Sequence, residues 1–238
     1  MVCCAGIAHE KGVTVVVDNT FSPLLISPFR HGADVVVHSI SKYISGSSDI
    51  IAGAVCGSDT LIASMMGLTQ GALMLLGPTM NAQIAFQVSL RLPHLVMRMK
   101  EHCRRALVYS QRLKKLNLKV IYPGLEDHPQ HNLMKQLVNE GYGYGGMLSL
   151  DLDTTERAND LLRHLQNVSQ FGLLAVSLGF HDTLMSCSGS STSSELSKEE
   201  QQVAGISEGL VRMSIGFTGS MEERWAQLLD ALTTLKLI

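Results

Sequence analysis

The chain has 238 residues, 45% of them apolar and 17% charged, with a formal net charge of −2. That is enough apolar material for a sizeable core and too little charge for a disordered chain. The charge balance argues against a nucleic-acid or anionic-membrane partner, and five scattered cysteines without a C-x-x-C pair favour free thiols in a reducing compartment over a disulfide framework.

The first residues lack the basic n-region of a secretory signal. The most apolar stretch, 61–76, is broken by Ser64, Thr69 and Gln70 and falls short of the roughly 20 apolar residues of a membrane span. A cytoplasmic protein with no membrane partner is expected. In chain order, residues 3–11 read as the tail of a helix stopped by Gly12. Strands are expected at 13–17, 34–37 and 50–56, with a turn at 19–23 and a Gly/Ser loop at 45–49. These apolar runs are continuous and do not alternate, as strands covered on both faces do. Residues 60–76 predict a helix stopped by Gly77-Pro78. Asn81 caps a long helical pattern to about 116, interrupted at Pro93, whose basic half, 98–115, is expected on a solvated face. Beyond it, strands are expected at 120–122, 147–152, 175–178 and 210–215, and helices at 155–166 and 221–235. The small-polar run 186–194 reads as a flexible loop or as a wall of a site. Three strands are fewer than the roughly five or six of an average sheet, and the first unit begins inside a βαβ pattern, so an N-terminally truncated domain is expected.

The chemistry gathers where two of the early strands end. The run 13–17 finishes in Asp18, and Asp34-Val-Val-Val-His-Ser-Ile-Ser-Lys-Tyr43 delivers Lys42. In an open parallel sheet the carboxyl ends of strands are where ligands bind. A lysine amine held there against apolar walls suits Schiff-base chemistry. A carboxylate beside it suits the protonated ring nitrogen of pyridoxal 5'-phosphate (PLP), and the hydroxyls of Ser39 and Ser41 are good phosphate donors. A lone lysine or aspartate at a strand end is more often a solvated turn residue, so the cluster carries the reading. Arg212 interrupts a strand that otherwise looks buried; its fork suits a substrate carboxylate, and an internal salt bridge is equally compatible.

Other patterns carry less. Ser39-Ile-Ser-Lys42 satisfies S-x-x-K without the S-D-N and K-T-G elements that accompany that nucleophile. Gly141-Tyr-Gly-Tyr-Gly-Gly146 satisfies G-x-G-x-x-G but precedes a strand pattern where a dinucleotide site needs a helix. His128 and His131 flank Pro129 and read as a surface turn, and the methionines Met65, Met66, Met97 and Met99 read as gap-fillers of a core.

Taken in order, Asp18-Asn-Thr-Phe21, His38-Ser-Ile-Ser-Lys-Tyr43 and Leu210-Val-Arg-Met-Ser-Ile-Gly216 resemble the Cys/Met-metabolism PLP-dependent enzymes, the cystathionine and methionine γ-lyase group, over essentially the whole chain. The segment 176–196 is similar to the plant-type methionine γ-lyase branch. The resemblance implies an α/β fold of the PLP-dependent transferase-like type (fold type I). Residues 1–116 would be part of a large domain with a mostly parallel sheet and its long linking helix, and 117–238 a smaller C-terminal α/β domain. It implies that Lys42 holds PLP and moves protons, that Asp18 pairs with the ring nitrogen, and that Ser39 and Ser41 contact the phosphate. Arg212, helped by the backbone around Ser177, would grip the substrate α-carboxylate. The implied reaction is the α,γ-elimination of L-methionine to methanethiol, 2-oxobutanoate and ammonia by a homo-oligomer, a dimer of dimers. Cystathionine γ-lyase or γ-synthase chemistry is the alternative, and an inactive truncated fragment acting only by association is a second. Two departures stand out: Gly46-Ser47 replaces a frequent Gly-His, and 186–194 replaces the more usual Met-Thr-His type of segment.

Overall fold

The apolar runs of the first third make a small mixed sheet. Strand β1 (Val16–Asp18) runs parallel to β2 (Val35–Ser39), which pairs antiparallel with β3 (Gly53–Cys56). The computed structural model describes residues 2–189 and 196–238, which divide into one unit of Met1–Val96 with Leu137–Asn139 and a second of Met97–Gln136 with Glu140–Ile238. Coverage on both faces holds only for the middle strand. Val35 and Val36 of β2 are buried, while Val16 is 59% exposed and Val55 42%. The reason is topological: in the order β1-β2-β3 the outer strands are both edges. Helix α1 (Val2–Glu10) precedes β1, and Gly12 stops it with φ +67°.

The expected helix at 60–76 is two short ones, α2 (Asp59–Met65) and α3 (Ala72–Leu76). Between them the Gly71 N–H donates to the Gly67 carbonyl at 2.8 Å. A Cβ on Gly71 would lie 2.4 Å from the Met65 carbonyl oxygen, an approach that only glycine permits. Asn81 caps α4 (Ala82–Arg91) by accepting from the Gln83 N–H. Pro93 sits in a 3-10 turn, Leu92–His94, that leads into α5 (Leu95–Lys115). On α4, Val88 and Ile84 pack against Ile40 and Ile50 to form a small core of the first unit.

The second unit is a five-stranded sheet of β4 (Lys119–Ile121), β5 (Met147–Asp151), β6 (Gly172–Leu174), β7 (Thr183–Cys187) and β8 (Leu210–Ser214), in the order β4-β5-β8-β7-β6. Its neighbours are antiparallel except β6 and β7. Leu148, Leu150, Met185, Val211 and Met213 face a core shared with Ala106, Tyr109 and Leu113 of α5, with α7 (Thr155–Asn167) and with α9 (Met221–Thr234). That packing places α5 with the second compact unit, whose division from the first falls near Val96. The expectation of a wholly solvated basic face on α5 also fails at one residue: Arg105 is buried, and its guanidinium donates to the carbonyls of Thr218 and Gly219 at 3.0 and 2.7 Å. The expected strand at 175–178 is coil, and Ser186 and Cys187 are strand residues; positions 190–194 of the small-polar run lie outside the described residues. Two short helices, α6 (His131–Leu137) and α8 (Lys198–Val203), were not expected. Among the described residues no helix is long and apolar enough to cross a membrane.

Candidate active site

Past the end of β1, the Asn19 N–H donates to the Val37 carbonyl at 2.9 Å and extends the pairing with β2 by one residue. The Asn19 side chain then fixes the turn. It accepts from the Ser22 hydroxyl at 2.6 Å and donates to the Ile26 carbonyl at 3.1 Å. This turn presents Asp18. The Thr20 hydroxyl and the Thr20 N–H, the latter at 2.9 Å, hold the Asp18 carboxyl below its usual range against a smaller opposing effect of burial. The same hydroxyl accepts from the Ser39 N–H of β2 at 2.8 Å. One threonine therefore joins the carboxyl ends of the two parallel strands.

His38 lies close enough for its charge to act on Asp18. Burial pushes its imidazole below the ordinary range, and the nearby carboxylate opposes that. Its Nδ1 is buried without a hydrogen-bond partner among the described residues.

Beyond β2 the chain turns sharply. The N–H groups of Lys42, Ser45 and Gly46 donate to the carbonyls of Ser39, Ile40 and Lys42. Lys42 is half-buried on this turn, next to a fully buried Tyr43. The two serines differ. The Ser41 hydroxyl accepts from the Ala52 N–H at 3.1 Å and lies 3.4 Å from the Ala52 carbonyl oxygen, which ties it to the segment entering β3. The half-buried Ser39 shows no side-chain hydrogen bond among the described residues. The far end of the loop is clamped by Arg91 of α4, whose guanidinium donates to both Asp49 oxygens at 2.6 and 2.7 Å and to the Ser45 hydroxyl at 2.9 Å. That fork pushes the Asp49 carboxyl down to about 2.

Asp18, Ser39, Ser41 and Lys42 thus gather at the strand ends of the first unit. Arg212 and Ser177 belong to the second unit. Arg212 sits mid-β8 in register with Ser149 of β5 and Ser186 of β7, so both serines flank it on the sheet face opposite Val211 and Met213. The coil carrying Ser177 is tied to the same strand, since the Gly179 N–H donates to the Ser214 hydroxyl at 2.9 Å. The ring nitrogens of His128 and His131 are engaged by backbone groups, and no group of three metal-ligating side chains occurs among the described residues.

Thr20, His38 and the Arg91–Asp49 clamp were not expected in the site from sequence. Thr20 had a local signal, standing two residues after an aspartate where a side chain bonds its own backbone. Arg91, 42 positions from Asp49, had none.

Residues 1–233 match the family described as Cys/Met metabolism PLP-dependent enzyme. The chain is 64% identical over 220 residues to methionine gamma-lyase of Arabidopsis thaliana, covering 92% of this chain and 50% of that protein. It is 39% identical over 215 residues to L-methionine gamma-lyase of Pseudomonas putida, covering 89% and 52%. Among solved structures, cystathionine gamma synthase from Xanthomonas oryzae pv. oryzae superposes with a TM-score of 0.86 at 31% identity, over 99% of this chain and 59% of that one. The chain spans about half the length of the curated relatives it matches. With nearly all of it matched, the chain belongs to the Cys/Met metabolism PLP-dependent enzyme family.

Proposed function

We propose that the protein acts as a PLP-dependent carbon–sulfur lyase, eliminating methanethiol from L-methionine to leave 2-oxobutanoate and ammonia. The observation that carries the reading is the hydrogen-bonded chain from Asp18 through Thr20 to Ser39, three residues before Lys42. Its residues fit the cofactor. A carboxylate kept ionised by Thr20 is the acceptor that a protonated ring nitrogen needs, and the Ser39 hydroxyl is available as a phosphate donor. When bound, PLP draws electrons away from the substrate carbons beside it. The protein's part is to orient and to move protons. Lys42 carries the cofactor on its amine and afterwards takes a proton from the α-carbon. Thr20 fixes the Asp18 carboxylate in direction as well as in charge. Arg212 binds the substrate carboxylate through its fork, with the Ser177 segment beside it. The reading includes a cytoplasmic homo-oligomer.

A test begins with PLP titrated into the protein. An absorbance band near the visible edge is expected, and Lys42→Ala should abolish it. Methanethiol release from methionine is the expected product signal. The likeness to cystathionine gamma synthase and gamma lyase structures supports a second reading, cystathionine γ-lyase or γ-synthase chemistry; cleavage or formation of cystathionine without methanethiol from methionine selects it. No band in the intact chain leaves only the third reading, a chain that acts by association.

A further inference from the structure

The proposed function leaves the motif Gly141-Tyr-Gly-Tyr-Gly-Gly146 unused. The loop runs into β5, so it lacks the helix of a dinucleotide site. It keeps the other element of such a site, a backbone that a phosphate can approach closely. Gly141, Gly143 and Gly145 have φ of +78°, +88° and +102°, while Tyr142 and Tyr144 between them have negative φ. Such alternation of hand is the backbone pattern of a nest, a concavity of N–H groups that binds anions. Among the described residues the N–H groups of Gly141, Gly143 and Tyr144 meet no acceptor.

Packing holds the loop in this form. The Tyr122 hydroxyl donates to the Gly145 carbonyl at 2.8 Å, and the Ile215 N–H to the Gly146 carbonyl at 2.8 Å. On α5 the Cys103 sulfur accepts the Gly145 N–H, and a Cβ at Gly143 would lie 2.8 Å from the Cys103 Cβ. Lys100 stands three residues before Cys103, on the same side of the helix. Its ammonium lies 5.2 Å from the centre of the Tyr142 ring and pairs with no carboxylate among the described residues. The Tyr142 and Tyr144 hydroxyls likewise meet no hydrogen-bond partner there. An unpaired ammonium beside unpaired N–H groups selects an anion. Glu140, just before the loop, is exposed, so solvent screens its opposing charge.

We propose that the loop 141–146 and Lys100 form an anion site that takes the phosphate group of a small phosphorylated molecule. Backbone N–H groups, two phenol hydroxyls and an ammonium offer donors in several directions, and the tetrahedral oxygens of a phosphate accept from more directions than a planar carboxylate does. The site uses none of the residues assigned to PLP, and all of its residues belong to the second unit.

Calorimetric titration of inorganic phosphate into PLP-treated protein, freed of unbound cofactor and held at constant ionic strength, tests this. The wild type should bind phosphate saturably. Lys100→Met keeps the aliphatic stem over Tyr142 and should weaken binding at least about tenfold, the loss of a bond to a charged group, whereas Lys100→Arg should stay within about threefold. Gly143→Ala, pressed against Cys103, should re-aim the N–H groups and weaken binding with the ammonium still in place. If that variant fails to fold, Tyr142→Phe/Tyr144→Phe, which removes the two hydroxyls, serves as the second arm. A wild type without saturable phosphate binding overturns the site, and so do folded variants that bind as tightly as the wild type. Binding lost in Ser39→Ala but kept in Lys100→Met places the phosphate at the strand ends of the first unit, which overturns this site and leaves the PLP reading standing. Acetate bound as tightly as phosphate overturns the phosphate class in favour of a carboxylate.

Discussion

At Thr20 one hydroxyl works for two strands: it keeps Asp18 ionised and accepts the Ser39 N–H. Thr20→Val keeps the shape and removes both bonds. Hydrogen bonds to charged groups are worth about 1.5–3 kcal/mol, so PLP affinity should fall about 10–100-fold, whereas Thr20→Ser should stay within about threefold. A fluorescence titration with PLP reads both, and equal losses in the two variants would mean that the methyl group matters and the hydroxyl does not. The neighbouring serines separate in the same assay. Ser39→Ala should weaken PLP binding with little change in melting temperature. Ser41→Ala should cost about 1 kcal/mol of stability, because the Ala52 N–H loses its acceptor. From sequence the two hydroxyls were equivalent, since both flank Lys42 within three residues. What distinguishes them is the pairing with the segment around Ala52, which local chemistry does not encode.

Among elements, the loop after β2 is fixed at both ends, by its turn hydrogen bonds near Lys42 and by the Arg91 fork on Asp49 and Ser45. Arg91→Met should therefore raise amide hydrogen exchange across residues 42–50 while exchange in β8 stays unchanged; uniform acceleration would mean general unfolding. The clamp has a pH window. The Asp49 carboxyl is depressed to about 2 in the folded chain against an ordinary 3.8, so its contribution is complete above about pH 4 and is lost as pH falls toward 2. Strand ends around Asp18 and Lys42 were legible because apolar runs and the turn residues after them are local signals. The break between α2 and α3 was not, since it arises from Gly71 approaching the Met65 and Gly67 backbone. The residues at 175–178 looked like a strand by composition, but β6 pairs with β7 through Gly172–Leu174, where a Cβ at Gly172 would lie 2.5 Å from the Thr183 carbonyl oxygen. Helix α8 had a readable signal in its capping box, Ser197 with Glu200, and was missed because six residues carry no apolar stripe.

At the scale of the molecule, the second unit fastens its longest helix to the segment that follows the Arg212 strand. His102 of α5 is fully buried and its Nδ1–H donates to the Ile215 carbonyl at 2.5 Å, while Arg105, one turn on, holds Thr218 and Gly219. The carbonyl is an acceptor only, which sets the tautomer. Burial pushes the imidazole down to about 4, with the nearby guanidinium groups of Arg98 and Arg105 adding to that and the Ile215 bond and Glu101 opposing it. Between about pH 6.5 and 4 the unfolded chain binds a proton that the folded chain refuses, so stability falls with falling pH across that window, by on the order of 3 kcal/mol in total. The chain's single tryptophan, Trp225, packs beside Tyr109 in this unit and reports its unfolding. Urea midpoints followed by Trp225 fluorescence should slide downward from pH 6.5 to 4 in the wild type. In His102→Gln the slide should flatten, even if the variant starts from a lower midpoint. A slope that survives the substitution would assign the proton uptake to another group; Glu101, held down to about 2 chiefly by Arg104 against an ordinary 4.5, adds to the slope only below about pH 4.5.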